Sequence, residues 1–575
     1  MQAKRISALL LTSALFLPLF AEPPQPAEVL PAGALVYLEA HGSGRLVRQF
    51  KESALWKLVQ DSPQYQRMKQ EPNYKQANTA RILAETFLGM NLWTLGEKLL
   101  GGQVAVGVYP RAGRDQPDAV VLIRVKDRTV LDELRKRANP LALLAGEDVK
   151  RFKMPVNVDL WQMKNGLEIA TRDDWAVIAQ HRPLLLSVLR GIGGQAPKPL
   201  AADPEFRAMT SKFGANHDGL AYVNLASVVK GGQPRLGIPE KLDDGGASFF
   251  IHGILELAAR SPYLGLTLDA TDEGFALTAG FPSGPKTLGN KFGWFFSNPA
   301  TQGTRPLPQV PGVLGGVTMH RDFGGWYSRR EELLAENLLP GFDQFETEIA
   351  NVLPGRDFAE DVLPALGKTV TFIAAEQSFD HLDGKPGVKL PGFALIFDLA
   401  KPREGADLFQ LVFQTIAALT NFGAAESGNE PTVMTAEVYK GTTLTTARYL
   451  KKPKGDRLPI VYNFMPRAAS VGDKFIISSS AGTCRALIDA LKQPAAGPAP
   501  PNRNFNFEIR PSKLADLAAA NREALLAQSL QQGKPLQQAR GELDLIQKML
   551  RAVKLFRLST HVKPDQFHLK LEGKW

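Results

Sequence analysis

The chain alternates between two hydrophobic patterns. Short apolar runs bounded by turn residues predict strands, and longer stretches with apolar positions three and four apart predict helices. Trp175-Ala176-Val177-Ile178-Ala179 follows the turn pair Asp173-Asp174 and runs into Pro183 to Leu189, which reads as turn, strand, helix. Gly472-Asp473, then Lys474 to Ser479, then Cys484 to Leu491, reads the same way.

The elements around these two stretches also recur in order. After Leu30-Pro31 the pattern predicts a strand ending near Ala40, then a helical zone from Arg45 to Leu88. That zone has Leu46, Phe50, Leu55, Leu58 and Val59 at helical spacing, and Pro63 and Pro72 divide it. Strands follow near 103–109 and 119–125, a helix over 130–144, and strands near 158–161 and 168–171. Beyond the Asp173 stretch come a strand over 219–225, a helical insertion to Ala259, and a hairpin turned by Asp272-Glu273-Gly274. The second half predicts a strand over 310–320, helices over 326–338 and 343–353, and strands near 366–373 and 393–398. It closes with a strand at 505–509, a helical insertion from Leu514 to Val553, and a hairpin over 556–572. Matching positions lie 265 residues apart at Gly102 and Gly367, 299 at Asp174 and Asp473, and 292 at Phe275 and Phe567. Such a spread is what loop insertions in a diverged tandem duplication produce.

Hairpins dominate and Gly-rich crossover turns are missing, so the predicted fold class is α+β. It is a tandem duplication of a mainly antiparallel sheet, with helices inserted between hairpins and covering one face. The predicted organisation is a signal peptide over 1–21, a first repeat over 22–283, a connection over 284–311, and a second repeat over 312–575. The connection is rich in Gly and Pro, and Phe292, Trp294, Phe295 and Phe296 are expected to pack it down.

Composition narrows the class. Hydrophobic residues are 44% and charged ones 22% of the 575, so packed cores are expected instead of disorder. The net charge of +10 is spread over 68 basic and 58 acidic residues, a poor basis for nucleic-acid binding. The densest basic cluster, Lys451-Lys452-Pro453-Lys454-Gly455-Asp456-Arg457, is expected to tip a solvated hairpin. Lys4 and Arg5 before the apolar run Ile6 to Phe20 describe a secretory signal, with cleavage expected between Ala21 and Glu22. Leu19, at the −3 position, is larger than the cleavage enzyme prefers, which leaves an uncleaved anchor as the alternative. No second apolar run approaches the roughly 20 residues of a membrane span, so none is expected in the mature chain. A single cysteine, Cys484, excludes internal disulfides and thiolate metal clusters, and a buried structural role is expected for it.

No catalytic signature emerges. The eight histidines include no His-Glu-x-x-His pair; His561 and His568 lie on two arms of one predicted hairpin. In His41-Gly42-Ser43-Gly44 the leading glycine is misplaced for a nucleophile elbow, and Ser43 is expected to cap a helix. Asp243-Asp244-Gly245-Gly246 and Asp380-His381-Leu382-Asp383-Gly384 lack the closing Glu of a calcium loop. Gly312 to Gly316 lacks the phosphate-loop lysine. Asp173-Asp174 and Glu331-Glu332 are carboxylate pairs in sequence only. No cofactor and no metal is therefore expected.

Leu30-Pro31-Ala32-Gly33-Ala34 before an apolar strand resembles the opening of a group of bacterial exported proteins, and Leu366-Gly367 before a later strand is similar to theirs. The resemblance covers most of each half in order of elements. It implies export and an α+β repeat fold, and no reaction. The expected protein is thus a periplasmic or extracellular, non-enzymatic envelope protein binding an unidentified protein or polymer. Two alternatives stay open: a hydrolase of cell-envelope material, with carboxylates or Ser43 assembled between the halves, and a carrier of an apolar ligand. Oligomeric state is not legible.

Overall fold

The structure is a computed structural model. It describes residues 24–575 except 43, 45–47, 49–50, 90, 112, 114–115, 145–148, 155–157, 196–197, 215, 229–237, 298–302, 354, 427–429, 451–454 and 494–501. The signal segment, its cleavage point at Ala21 and Glu22, Ser43, and Lys451 to Lys454 lie outside the described residues.

In chain order the strands open with β1 (Val36–His41), β2 (Gln103–Tyr109), β3 (Asp118–Arg124), β4 (Val149–Met154) and β5 (Val158–Met163). Next are β6 (Glu168–Arg172), β7 (Trp175–Ala179), β8 (Gly219–Asn224), β9 (Tyr263–Thr271) and β10 (Gly274–Phe281). The later part holds β11 (Val313–His320), β12 (Leu366–Ala375), β13 (Lys385–Pro386), β14 (Gly392–Leu399), β15 (Thr432–Tyr439) and β16 (Thr442–Tyr449). The last are β17 (Arg457–Leu458), β18 (Arg467–Val471), β19 (Lys474–Ser478), β20 (Arg503–Ile509), β21 (Leu555–Lys563) and β22 (Gln566–Lys574).

The described residues divide into two compact units, one within 24–34 and 103–207 and the other within 35–102 and 208–575. In the first, six strands pair antiparallel in the order β4–β5–β6–β7–β3–β2. In the second, one antiparallel series runs β15–β16–β18–β19–β14–β12–β11–β20–β21–β22–β10–β9–β8–β1. The short strands β13 and β17 pair in parallel. The α+β class is therefore plain, with a large antiparallel sheet.

The same pairing order occurs twice. The series β4–β5–β6–β7–β3–β2 has its counterpart in β15–β16–β18–β19–β14–β12, and β1–β8–β9–β10 in β11–β20–β21–β22. Both turns singled out in the sequence are two-residue hairpin loops. Arg172 pairs with Trp175 across Asp173-Asp174, and Val471 with Lys474 across Gly472-Asp473. Such loops need a left-handed first residue. Asp173 has φ 53° and Gly472 φ 61°, and the short polar side chain of Asp tolerates what Gly adopts freely. Strands β10 and β22 pair about equivalent residues, because Thr278 faces Lys570, 292 positions on, just as β22 starts 292 after β10. That pairing gives the two hairpins a local two-fold relation.

Helices follow the hairpins, and their cover extends beyond the single face expected from sequence. The helix Ala481–Lys492 buries Cys484, Leu487 and Ile488 with Ile396 and Ile476. The helix Pro402–Glu426 sets Phe409 against Phe397 (6.0 Å between rings) and Phe475 (5.7 Å). Residues 396 and 397, adjacent on one strand, point to opposite faces. The helix expected over 326–338 is instead two short pieces, Phe323–Tyr327 and Arg330–Leu333, followed by a 3-10 turn. Leu334 turns extended (ψ 150°) after the second piece and stops it. Phe292, Trp294, Phe295 and Phe296 are all buried, in one core with Leu257, Trp326 and Phe567.

One row of side chains crosses nine strands of the second unit. Ile477 faces Leu395, then Phe372, Val317, Phe507 and Leu558, and the row ends at Leu268 on β9. Cross-strand apolar pairs of this kind stabilise a sheet. Leu395, Phe372 and Phe507 are 39%, 37% and 38% exposed, so this part of the row lies at the surface.

In the first unit the helix Arg182–Ile192 meets the end of the helix Pro26–Val29 at Gly191, where an added Cβ would lie 2.2 Å from the Val29 carbonyl oxygen. Backbone cannot yield as a side-chain tip would. Gly191→Ala is expected to lower stability by about 1–3 kcal/mol, read from urea unfolding of the variant against wild type. An unchanged midpoint would contradict this close approach.

Candidate functional site

The helical zone before β2 is cut by its own capping chemistry. Ser53 accepts from the Trp56 backbone N–H (3.0 Å) and starts the helix Ala54–Gln60. Ser62 accepts from Tyr65 N–H (3.2 Å), with Pro63 at the first helical position of Pro63–Met68. Pro72 opens the helix Pro72–Leu88, and Asn91 caps Leu92–Leu100 through Thr94 N–H (2.7 Å). The helix Ala54–Gln60 also packs on Leu536–Ala552 of the same unit.

Each helix turns an i, i+4 face inward. Trp56 and Gln60 come from the first, Tyr65 and Lys69 from the second and its cap, and Tyr74, Asn78 and Arg81 from the third. With Lys51 and Trp93 they line a cleft of about 750 Å³. The rings meet edge to face. Trp56 lies 6.0 Å from Tyr65 at 72° and 6.4 Å from Trp93 at 62°, and Tyr65 lies 6.5 Å from Tyr74 at 78°. The Lys69 ammonium sits 4.8 Å from the Tyr65 ring centroid. A hydrogen bond to Tyr74, together with burial, raises the Tyr65 hydroxyl above its ordinary pKa, so it keeps its proton at neutral pH.

Among the described residues the cleft's lining contains the cations Lys51, Lys69 and Arg81 and no carboxylate. Arg81 is oriented by Asn78 Oδ1 (3.0 Å from Nη2) and by Glu85 (3.0 Å), which stands outside the lining. A second hollow of about 430 Å³ is different in kind, because Glu376, Asp380 and Asp516 share its lining with Lys385, Lys389 and Lys513. There Lys513 is already paired with Glu376 (3.5 Å) and Asp516 (3.4 Å).

The residues weighed in the sequence do not assemble into a reactive group. Cys484 is buried, and burial pushes its thiol up to about 11, away from the reactive thiolate. His561 and His568 are direct cross-strand partners, and His568 stacks 4.8 Å from Phe213. Burial lowers both imidazoles, His568 to about 4, so they are neutral at pH 7. Asp244 caps the helix Gly245–Ala259 through Ala247 N–H. Asp380 accepts from Ser378 Oγ (2.6 Å), and Asp174 from Arg124 Nε (2.7 Å). Glu331 and Glu332 are exposed in the first turn of Arg330–Leu333. Gly315 and Gly316 lie within β11 and not in a loop. Among the described residues no group of three or more His, Cys, Asp or Glu is placed to hold a metal ion, and no helix is long and apolar enough to cross a membrane.

The cleft residues are not marked by apolar spacing, because they are aromatic and polar positions on one face of each helix. The pattern Trp-x-x-x-Gln, Tyr-x-x-x-Lys and Tyr-x-x-x-Asn-x-x-Arg, an aromatic followed by polar residues on the same face in three successive helices, would have found them.

Known proteins add little. No family model matches the chain, and no curated protein matches it. Among solved structures, crystal forms IV, III and I of TP0453 are similar over 44–45% of this chain and 79–80% of that one. Identity is 10–11% and the TM-scores are 0.24, 0.24 and 0.23, values that carry no argument about this chain.

Proposed function

We propose that the protein is an exported, non-enzymatic binding protein of the bacterial envelope, holding an envelope polymer or protein in its aromatic cleft. One observation carries this reading. Among the described residues the cleft is lined by ring faces, amides and cations, with no Ser, Cys, His, Asp or Glu. Such groups recognise a ligand, whereas acyl, glycosyl or proton transfer calls for a nucleophile or an acid–base pair. Export is supported by Lys4 and Arg5 ahead of Ile6 to Phe20.

The alternatives have less support. The hydrolase reading relied on Ser43, which lies outside the described residues, or on paired carboxylates, of which Asp174 is engaged by Arg124 while Glu331 and Glu332 stand exposed. The carrier reading needs enclosure, and the apolar row across the sheet is exposed at Phe372, Leu395 and Phe507.

The test is photo-crosslinking of the full chain in the envelope of the cell that makes it, with a benzophenone side chain at Gln60. A reproducible adduct is expected at Gln60 and none at exposed Glu331. Equal labelling at both positions, or retention of the protein in the cytoplasm, would contradict the proposal.

A further inference from the structure

We propose that the cleft's ligand is an anionic carbohydrate, a chain of sugar rings bearing carboxylates or phosphates. This rests on the binding reading above and names the chemistry of its ligand.

Three features of the cleft point to it. First, its four aromatic walls offer flat apolar faces with a polar rim, which suit the C–H faces of a pyranose ring. Adjacent rings meet at 62–78°, so they form corners and not parallel slots. A puckered ring with substituents above and below its plane fits a corner. A flat base is held best by parallel stacking on a ring face, which these neighbouring pairs do not offer.

Second, Asn78, whose oxygen already accepts from Arg81, keeps its amide N–H donors, and Gln60 presents an amide that can donate and accept at once. The Tyr65 and Tyr74 hydroxyls do the same. A sugar hydroxyl is likewise donor and acceptor, so amides and hydroxyls match it better than they match an apolar or purely accepting ligand.

Third, Lys51, Lys69 and Arg81 line the cleft with no carboxylate among the described lining residues. Arg81 is paired with Glu85 behind the lining, whereas the Glu376–Lys513 hollow holds its carboxylates within its own lining. Guanidinium and ammonium groups around a sugar-sized space select a ring that carries negative charge. Arg81 is held in place by Asn78 and Glu85, so its fork is oriented before the ligand arrives. The volume of about 750 Å³ lies within the range of small-ligand clefts, room for a few rings of a longer chain.

The experiment is a fluorescence titration of the purified full chain, since Trp56 and Trp93 both line the cleft. Three probes are compared: a galacturonic acid hexamer, its fully methyl-esterified neutral form, and a thymidylate hexamer. Variants Trp93→Phe and Trp56→Phe assign the signal among the seven tryptophans. The acidic hexamer is expected to bind at least tenfold more tightly than either other probe. That preference should shrink to less than threefold in the Lys69→Gln/Arg81→Gln double variant, which keeps all four rings and is compared with wild type at matched folded fraction by circular dichroism.

Equal affinity for the neutral hexamer would overturn the anionic part of the inference. Tighter binding of the thymidylate would overturn the carbohydrate part in favour of single-stranded nucleic acid. No binding of any probe at millimolar concentration would overturn the inference as a whole. In each of these cases the Gln60 crosslink stands as a separate result, so a wrong ligand class and a wrong function are told apart.

Discussion

Replacing Arg321 by Met is expected to lower the unfolding free energy by about 3–5 kcal/mol, among the largest single effects in the molecule, because buried carbonyls lose charged donors. Arg321 is only 6% exposed, and its guanidinium donates to four carbonyl oxygens. These are Phe249 and Phe250 (3.0 Å each), Phe295 (2.9 Å) and His320 (2.7 Å). It also lies 3.7 Å from the centroid of the Phe295 ring. One side chain thus ties the helix Gly245–Ala259, the aromatic connection and the end of β11 together. Burial lowers its pKa to about 9, which still leaves it charged at neutral pH. Met fills the space and donates nothing, so carbonyls built around a donor fork lose it. Arg321→Lys is expected to recover only part of the loss, because one compact ammonium cannot serve four oxygens held in a planar fork's geometry. Guanidinium unfolding of the three proteins is the check. A loss below about 1 kcal/mol for Arg321→Met would mean that the carbonyls find water instead.

The second large effect is Phe295→Ala, expected to cost about 3–5 kcal/mol by the same unfolding measurement. Phe295 is fully buried, 5.3 Å from Trp294 and 4.7 Å from Phe296 between ring centroids, and its ring lies where a Cβ on Gly253 would sit at 2.6 Å. That fit against a bare helix backbone leaves little room for collapse, so truncation opens a cavity. Because Arg321 lies on the same ring, the two losses should not add, and a double-mutant cycle should give a coupling of about 0.5–3 kcal/mol. Additive losses would place the two residues in independent parts of the core.

Much of the architecture was legible because it is written in local chemistry. The two-residue loops Asp173-Asp174 and Gly472-Asp473 announce hairpins, and the apolar runs beside them fix the strands. Strand β4 reads Val-Lys-Arg-Phe-Lys-Met, without clean alternation, and gave no signal. The hairpin of β15 and β16 is illegible in the sequence for a related reason. Threonines mix with apolar residues along both of its strands, and Lys440-Gly441 is its only strong turn. The break after Leu333 was hidden because Leu333 and Leu334 both suit a helix, yet Leu334 leaves it. The pairing of β10 with β22 joins residues nearly 300 positions apart, and nothing local encodes such a register. Arg321 resembles any solvated arginine in sequence. Its burial follows from tertiary packing alone. The cleft is an intermediate case, since its aromatic and polar spacing is local but its closure needs four helices to meet.

We propose the aromatic cleft as the place where the protein holds a ligand. The most direct measurement is retention of the full chain on isolated envelope polymer, comparing wild type with the Trp56→Ala/Tyr74→Ala double variant at equal folded concentration. Wild type should be retained, with at least tenfold loss in the double variant and a decline as salt rises, since cations line the site. Equal retention of the two proteins would contradict the assignment of the site.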